Sequence, residues 1–290
     1  LLEALTAAVE VARERLGGEG FPWGALLAVV QRTVASLAAS DDLFWYAHAA
    51  DAVASRDWLA VHQARVSVMA GRLALAVGWE ERRAVEVGVA GAVFDAALWL
   101  LPAEGLRRLD ALQGEEQARY QAHPRTGADL VRRWRPPFEG LVEAVLQHHE
   151  REHGQGFPQG LTGAEIHPYA KVLGLVDAYA WLTRPPAPRP GLRAHDAVRE
   201  ILRTRSGMFA APLVKALLSE VTVFPPGTRV RLSTGEVGRV VAVNRQHPLR
   251  PRIQVVEDRH RRPTEPRLLD LSEAPFLYIT GPVAEDGGAR

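Results

Sequence analysis

The stretch that decides the fold is His148-His149-Glu150-Arg151-Glu152-His153-Gly154-Gln155-Gly156-Phe157-Pro158-Gln159-Gly160-Leu161. Two adjacent histidines close an amphipathic segment, Leu141 to Gln147, and a glycine-rich turn follows at once. Imidazoles clustered at the end of an apolar helix face are candidate metal ligands. His149-Glu150-x-x-His153 also matches the zinc-protease pattern HExxH. That chemistry needs both histidines one turn apart on a continuing helix, and Gly154, Gly156 and Pro158 break it. The extended protease pattern would also place His where Gln159 stands.

Outward from this stretch, further polar groups lie in apolar surroundings. Asp95 sits within Ala90-Gly-Ala-Val-Phe-Asp-Ala-Ala-Leu-Trp-Leu-Leu101, and Asp177 within Val172-Leu-Gly-Leu-Val-Asp-Ala-Tyr-Ala-Trp-Leu182. His62 falls on a helix face with Leu59, Val66, Met69 and Leu73. A buried carboxylate or imidazole must find a partner, a cation or a metal, and a structural partner is the commoner outcome for each taken alone. His123, before Pro124, completes the set. Together His62, Asp95, His123, His148, His149 and Asp177 offer enough donors for one or two metal ions. His195-Asp196, the one His-Asp dipeptide, follows a proline-rich loop, and its Asp reads as a helix N-cap rather than a ligand.

These motifs resemble those of the HD-GYP family. The quoted stretch is similar to HHExxDGxGYPxGL, His123-Pro124-x-x-Gly127 to HPxxG, and His62-Gln63-Ala64-Arg65-Val66 to HSxRV. Leu173 to Thr183 resembles the segment with the family's last Asp, and Ser206 to Val214 and Phe224-Pro-Pro-Gly227 continue the order. The resemblance spans roughly residues 20 to 280. It implies a helical bundle that holds divalent metal, iron or manganese, and hydrolyses cyclic di-GMP. Asp95 would bridge two metals, His62 and Asp177 serving one and His123, His148 and His149 the other. Gly154, Gly156, Phe157, Pro158 and Arg189 would contact substrate. The family's His-Asp pair is Phe94-Asp95 here, its Lys is Leu98, and a Glu one turn before the early His is Trp58. Asp and Tyr of the signature are His153 and Phe157, and the Arg-Pro-Tyr-Arg stretch keeps only Arg189. The resemblance therefore implies one or two ions, or none, and catalysis that is reduced or lost. A non-catalytic cyclic-dinucleotide receptor or protein-interaction module is the alternative.

The fold expected is mainly α, an HD-type helical bundle with a small C-terminal β module of barrel-like form. Residues 1–50 read as a helical region, 51–222 as the HD-GYP-like domain, 223–282 as the β module and 283–290 as a disordered tail. Thr228–Leu232 and Val237–Val243 flank a hairpin turn at Ser233-Thr-Gly-Glu236, and Arg252–Val256 is a third strand. The 290 residues are 47% hydrophobic and 24% charged with a net charge of +1, an ordinary globular balance without a field for nucleic acid. Arginines crowd the β module, but few aromatics lie among them to stack bases, which favours a protein partner over nucleic acid. The absence of cysteine excludes disulfides and thiolate metal sites. Without a membrane span or a signal-like N-terminus, a cytoplasmic location is expected.

Overall fold

The computed structural model describes residues 1–16, 20–39, 57–101, 112–204, 207–221, 224, 227–242, 244, 247 and 249–283. It divides into two compact units, Leu1–Leu192 with Glu200–Val214, and Arg193–Arg199 with Lys215–Arg290.

The first unit is helical: α1 (Leu2–Glu14), α2 (Trp23–Ala39), α3 (Trp58–Ala76), α4 (Glu81–Val93), α5 (Gly114–Arg133), α6 (Leu141–Gln147) and α7 (Pro168–Thr183), with a 3-10 turn at Ala96–Leu100. Helix α3 is the central element. Every residue from Leu59 to Gly71 is buried, so this helix has no solvent face along that run. Asp57 starts it, accepting a hydrogen bond from the Leu59 N–H at 2.9 Å. Helices α1, α2, α4 and α7 all pack on α3.

Glycine sets how closely they pack. A Cβ on Gly91 of α4 would lie 2.8 Å from the Ser67 Cα, and one on Gly88 would lie 2.9 Å from a Val30 methyl. Residues with side chains would force the helices apart; glycine lets α4 deliver Asp95 directly into the centre. Gly174 does the same for α7, where a Cβ would stand 2.6 Å from the His148 carbonyl oxygen.

Helices α8 (Ala194–Thr204) and α9 (Ala211–Glu220) follow. Asp196 lies within the first turn of α8, not at its N-cap as the sequence suggests. An acidic residue complements the helix dipole at either position, so composition could not fix the start.

The second unit carries an antiparallel sheet in the order β4-β3-β2-β1-β5: β1 (Arg229–Leu232), β2 (Val237–Ala242), β3 (Arg252–Glu257), β4 (Pro263–Asp270) and β5 (Ile279–Pro282). Val230, Leu232, Val240, Ile253, Val255 and Leu271 form its core with Phe224. The expected hairpin is present, with Gly235 at φ +87° closing the turn between β1 and β2. Strands β4 and β5 were not expected. Six of the eight residues of β4 are exposed, so it lacks the alternation that marks a half-buried strand. Of the expected tail, residues 284–290 lie outside the described residues, as do Ser206, Pro225, Pro226 and Val243.

Candidate metal centre

Each candidate ligand is held by a different local device. His123 is followed by Pro124 inside α5. Proline has no N–H to give the carbonyl four residues back, which leaves the Tyr120 carbonyl available. His123 takes it, Nδ1 to oxygen, at 2.5 Å. His148 closes α6, and its Nδ1 reaches the Val145 carbonyl of the last turn at 2.6 Å. A carbonyl only accepts, so both Nδ1 atoms must donate. This fixes the tautomer of each ring and leaves a lone pair on each Nε2 when the rings are neutral.

Those bare nitrogens converge. His123 Nε2 lies 3.2 Å from His148 Nε2, and the Asp95 Oδ1 atom is 3.1 Å from the first and 3.4 Å from the second. Oδ1 is buried with no well-directed hydrogen bond. Three acceptor atoms facing one another need a shared cation, or an additional proton on one ring. Burial alone would raise the Asp95 pKa, but once His123 or His148 carries that additional proton, its hydrogen bond and positive charge outweigh burial and hold the carboxyl well below its usual range. Carbonyl-anchored imidazoles aimed at a common point are the usual support of metal ligands.

His149 completes this group; its donor atom and those of Asp95, His123 and His148 all lie within 4.8 Å of one another. Its ring stacks on Phe157 with centroids 4.5 Å apart. Burial first, and then the charges of His148, His123 and Arg151, push its pKa well below the usual histidine value, so it is neutral and able to ligate at neutral pH.

A second group, His62, Asp95 and Asp177, shares Asp95 with the first. Here His62 Nε2 and Asp177 Oδ1 are hydrogen-bonded to each other at 2.9 Å. Phe94 is fully buried between the two groups, its ring centroid 6.0 Å from that of His62 and 5.0 Å from that of His148. Leu98 is buried too. The donor set of the first group, three imidazoles and a carboxylate, suits a borderline divalent ion such as manganese, iron or zinc; the second lacks a nitrogen donor where Phe94 stands.

The glycine-rich turn is built around His149. Glu150 belongs to neither ligand group and accepts the Gln159 N–H at 2.7 Å and the Leu161 N–H at 2.9 Å. Gly154 adopts φ +76°, and a Cβ on Gly156 would lie 2.4 Å from the His149 carbonyl oxygen. Phe157 and Pro158 are joined by a cis peptide. His153 is exposed, pairs in an isolated bridge with Thr162 and belongs to neither ligand group. Arg189 lies over the ring of Trp181, 5.5 Å from its centroid. Glu150 escaped the sequence reading as the anchor of the turn, because its partners are backbone amides nine and eleven residues on.

Residues 48–209 match the family described as HD domain, and residues 229–287 match that described as KOW domain associated with HD domain. Among curated proteins, the chain is 29% identical over 190 residues to the cyclic di-GMP phosphodiesterase PA4108 of Pseudomonas aeruginosa, covering 65% of this chain and 46% of that protein. It is 29% identical over 159 residues to a cyclic di-GMP phosphodiesterase of Thermotoga maritima, covering 54% and 43%. The chain thus spans less than half the length of these relatives. Its fold is similar to that of Bd1817, a HDG"Y"P protein from Bdellovibrio bacteriovorus, with a TM-score of 0.58 and 16% identity over 74% of this chain and 68% of that one. No helix among the described residues is long and apolar enough to cross a membrane. With the family match extending over more than half of its residues, the chain belongs to the HD domain family.

Proposed function

We propose that this chain is a diverged HD-GYP protein that holds one divalent ion, iron or manganese, at Asp95, His123, His148 and His149, and takes a cyclic dinucleotide as ligand with reduced or lost hydrolysis. The observation that carries this reading is the asymmetry about Asp95. On one side two bare imidazole nitrogens face its unpartnered oxygen; on the other, buried Phe94 stands where the family pattern has a histidine, and His62 bonds to Asp177. Cyclic di-GMP is the substrate named for the relatives from Pseudomonas aeruginosa and Thermotoga maritima, which supports the ligand class.

A bound ion would polarise a phosphoryl oxygen and lower the pKa of a coordinated water. The chain's own residues supply the surroundings. Carbonyl-fixed His123 and His148 keep their lone pairs on target, and neutral His149 needs no deprotonation to join them. The turn from Gly154 to Pro158 forms the wall above. Buried Leu98 contributes no charge to a phosphate, so charge stabilisation falls on one centre rather than two.

The test is elemental analysis of the purified chain followed by incubation with cyclic di-GMP, with linear product followed by chromatography. One iron or manganese per chain, with product formation slow and dependent on Asp95, is the expected result. A chain free of transition metal after expression in metal-supplemented medium overturns the proposal. Metal and tight cyclic di-GMP binding without any product would favour the second reading, a receptor, to which Phe94 and Leu98 already point.

A further inference from the structure

Two tryptophans stand beside the weaker ligand group, and the metal chemistry uses neither. Trp58 precedes His62 by four residues on α3, and Trp181 follows Asp177 by four residues on α7. Residues four apart share a helix face. His62 meets Asp177 while Trp58 meets Trp181, so the two helices run antiparallel here and both indoles lie one turn out from the ligand pair, on the same side.

The geometry is built rather than incidental. Trp58 stacks on the His62 ring with centroids 4.8 Å apart and planes 14° from parallel. Its indole N–H donates to the Arg184 carbonyl at 3.1 Å, which fixes the ring's orientation. Trp181 meets Trp58 edge to face, with centroids 5.3 Å apart and planes at 88°. Both indoles are half-buried, whereas Trp99 and Trp134 are buried in the core. The guanidinium of Arg189 lies over Trp181. The two half-buried indoles form an aromatic surface of the kind that stacks planar ligands, and the Arg189 guanidinium on Trp181 suits the phosphate joined to such a ligand's sugar.

We infer that Trp58 and Trp181 form a nucleobase-stacking wall next to the metal centre, so that this chain grips a nucleotide by its base on the side where a second metal would otherwise grip its phosphate. The inference rests on the proposed cyclic-dinucleotide reading and adds the residues that select an aromatic base. Stacking on an aromatic side chain is sequence-tolerant, so the wall selects for the presence of a base.

The experiment measures cyclic di-GMP affinity by calorimetry on the metal-loaded wild type and on Trp181→Ala, Trp181→Phe and Trp58→Phe, with metal content determined for each. Competition with guanosine 5′-monophosphate and with ribose 5-phosphate separates base from phosphate recognition. The expected result is a loss of about tenfold or more in Trp181→Ala, with metal content unchanged and most of the affinity kept in Trp181→Phe. Guanosine monophosphate competes and ribose 5-phosphate does not. Wild-type affinity in Trp181→Ala with its metal retained, or equal competition by the two monophosphates, overturns the stacking wall while leaving the functional proposal standing. A metal-loaded wild type that does not bind cyclic di-GMP overturns that proposal and the wall with it.

Discussion

The Nε2 atoms of His123 and His148 stand 3.2 Å apart, and the Nδ1–H of each ring is already given to a backbone carbonyl. Two lone pairs and a carboxylate oxygen held this close repel until a cation joins them. Divalent metal should therefore stabilise the helical unit, by about 2.7 kcal/mol when the free ion is at roughly a hundred times its Kd. Thermal unfolding across a manganese titration reads this. In His148→Ala most of the shift should disappear; an undiminished shift in that variant would place the ion elsewhere.

Phe94 occupies the space between the two ligand groups. Phe94→His adds an imidazole beside His62, Asp95 and Asp177, and the expected outcome is a rise from one to two metal ions per chain, with faster hydrolysis of cyclic di-GMP. Elemental analysis gives the count and chromatography the rate. In metal-free buffer the same variant should be less stable than wild type, because an apolar ring in the core is replaced by a polar one that must be desolvated.

Acid should destabilise the metal-free protein. The His149 pKa is depressed by burial, so as pH falls through the ordinary value of 6.5 the unfolded chain binds a proton that the folded chain does not. Stability then falls with decreasing pH, with a slope of up to about 1.4 kcal/mol per pH unit for one proton. Asp95, whose carboxyl is also depressed, acts in the same sense at lower pH: its contribution is present above the ordinary carboxylate value of 3.8 and is lost as pH falls through the folded value. Urea midpoints of chelator-treated protein from about pH 8 to about pH 5 test the first part. His149→Asn should flatten the slope below 6.5.

Glu150 holds the glycine-rich turn by two backbone amides. Glu150→Ala leaves both without their acceptor and should cost roughly 3–6 kcal/mol, since hydrogen bonds to charged groups are worth about 1.5–3 each. Limited proteolysis between His153 and Leu161 should accelerate in parallel. Glu150→Gln keeps one acceptor and should lose about half as much.

Gly91 touches the backbone of Ser67 across the α3–α4 crossing. Gly91→Ala has no flexible neighbour to yield, and the helices must separate, at about 1–3 kcal/mol. The same displacement moves Asp95, so metal affinity should fall together with the unfolding midpoint.

His62, Asp95 and Asp177 were legible because each is a polar residue on an apolar face or in an apolar run, whereas His123, His148 and His149 stood out by their motifs. Their convergence was legible only through the order of the motifs, since His62 and Asp177 lie 115 residues apart in the chain. Hidden from the sequence was what fixes the rings: that Pro124 releases the carbonyl His123 uses emerges once helix α5 is seen to continue through the proline. The four-residue offsets of Trp58 from His62 and of Trp181 from Asp177 were visible, but their meaning depends on α3 and α7 running antiparallel, which no local pattern states. In the second unit, β1 to β3 alternate around a turn glycine and could be read, whereas the exposed β4 and the short β5 carry no period to read.

That exposed strand has one more consequence. β4 ends the sheet on one side, beyond β3, and carries Pro263 and Pro266; β5 ends it on the other and carries Pro282. Proline offers no N–H to a further strand and stiffens the edge it occupies. A neighbouring chain that tried to extend either border would meet gaps in the ladder, so these prolines disfavour fibrous growth at both margins of the sheet.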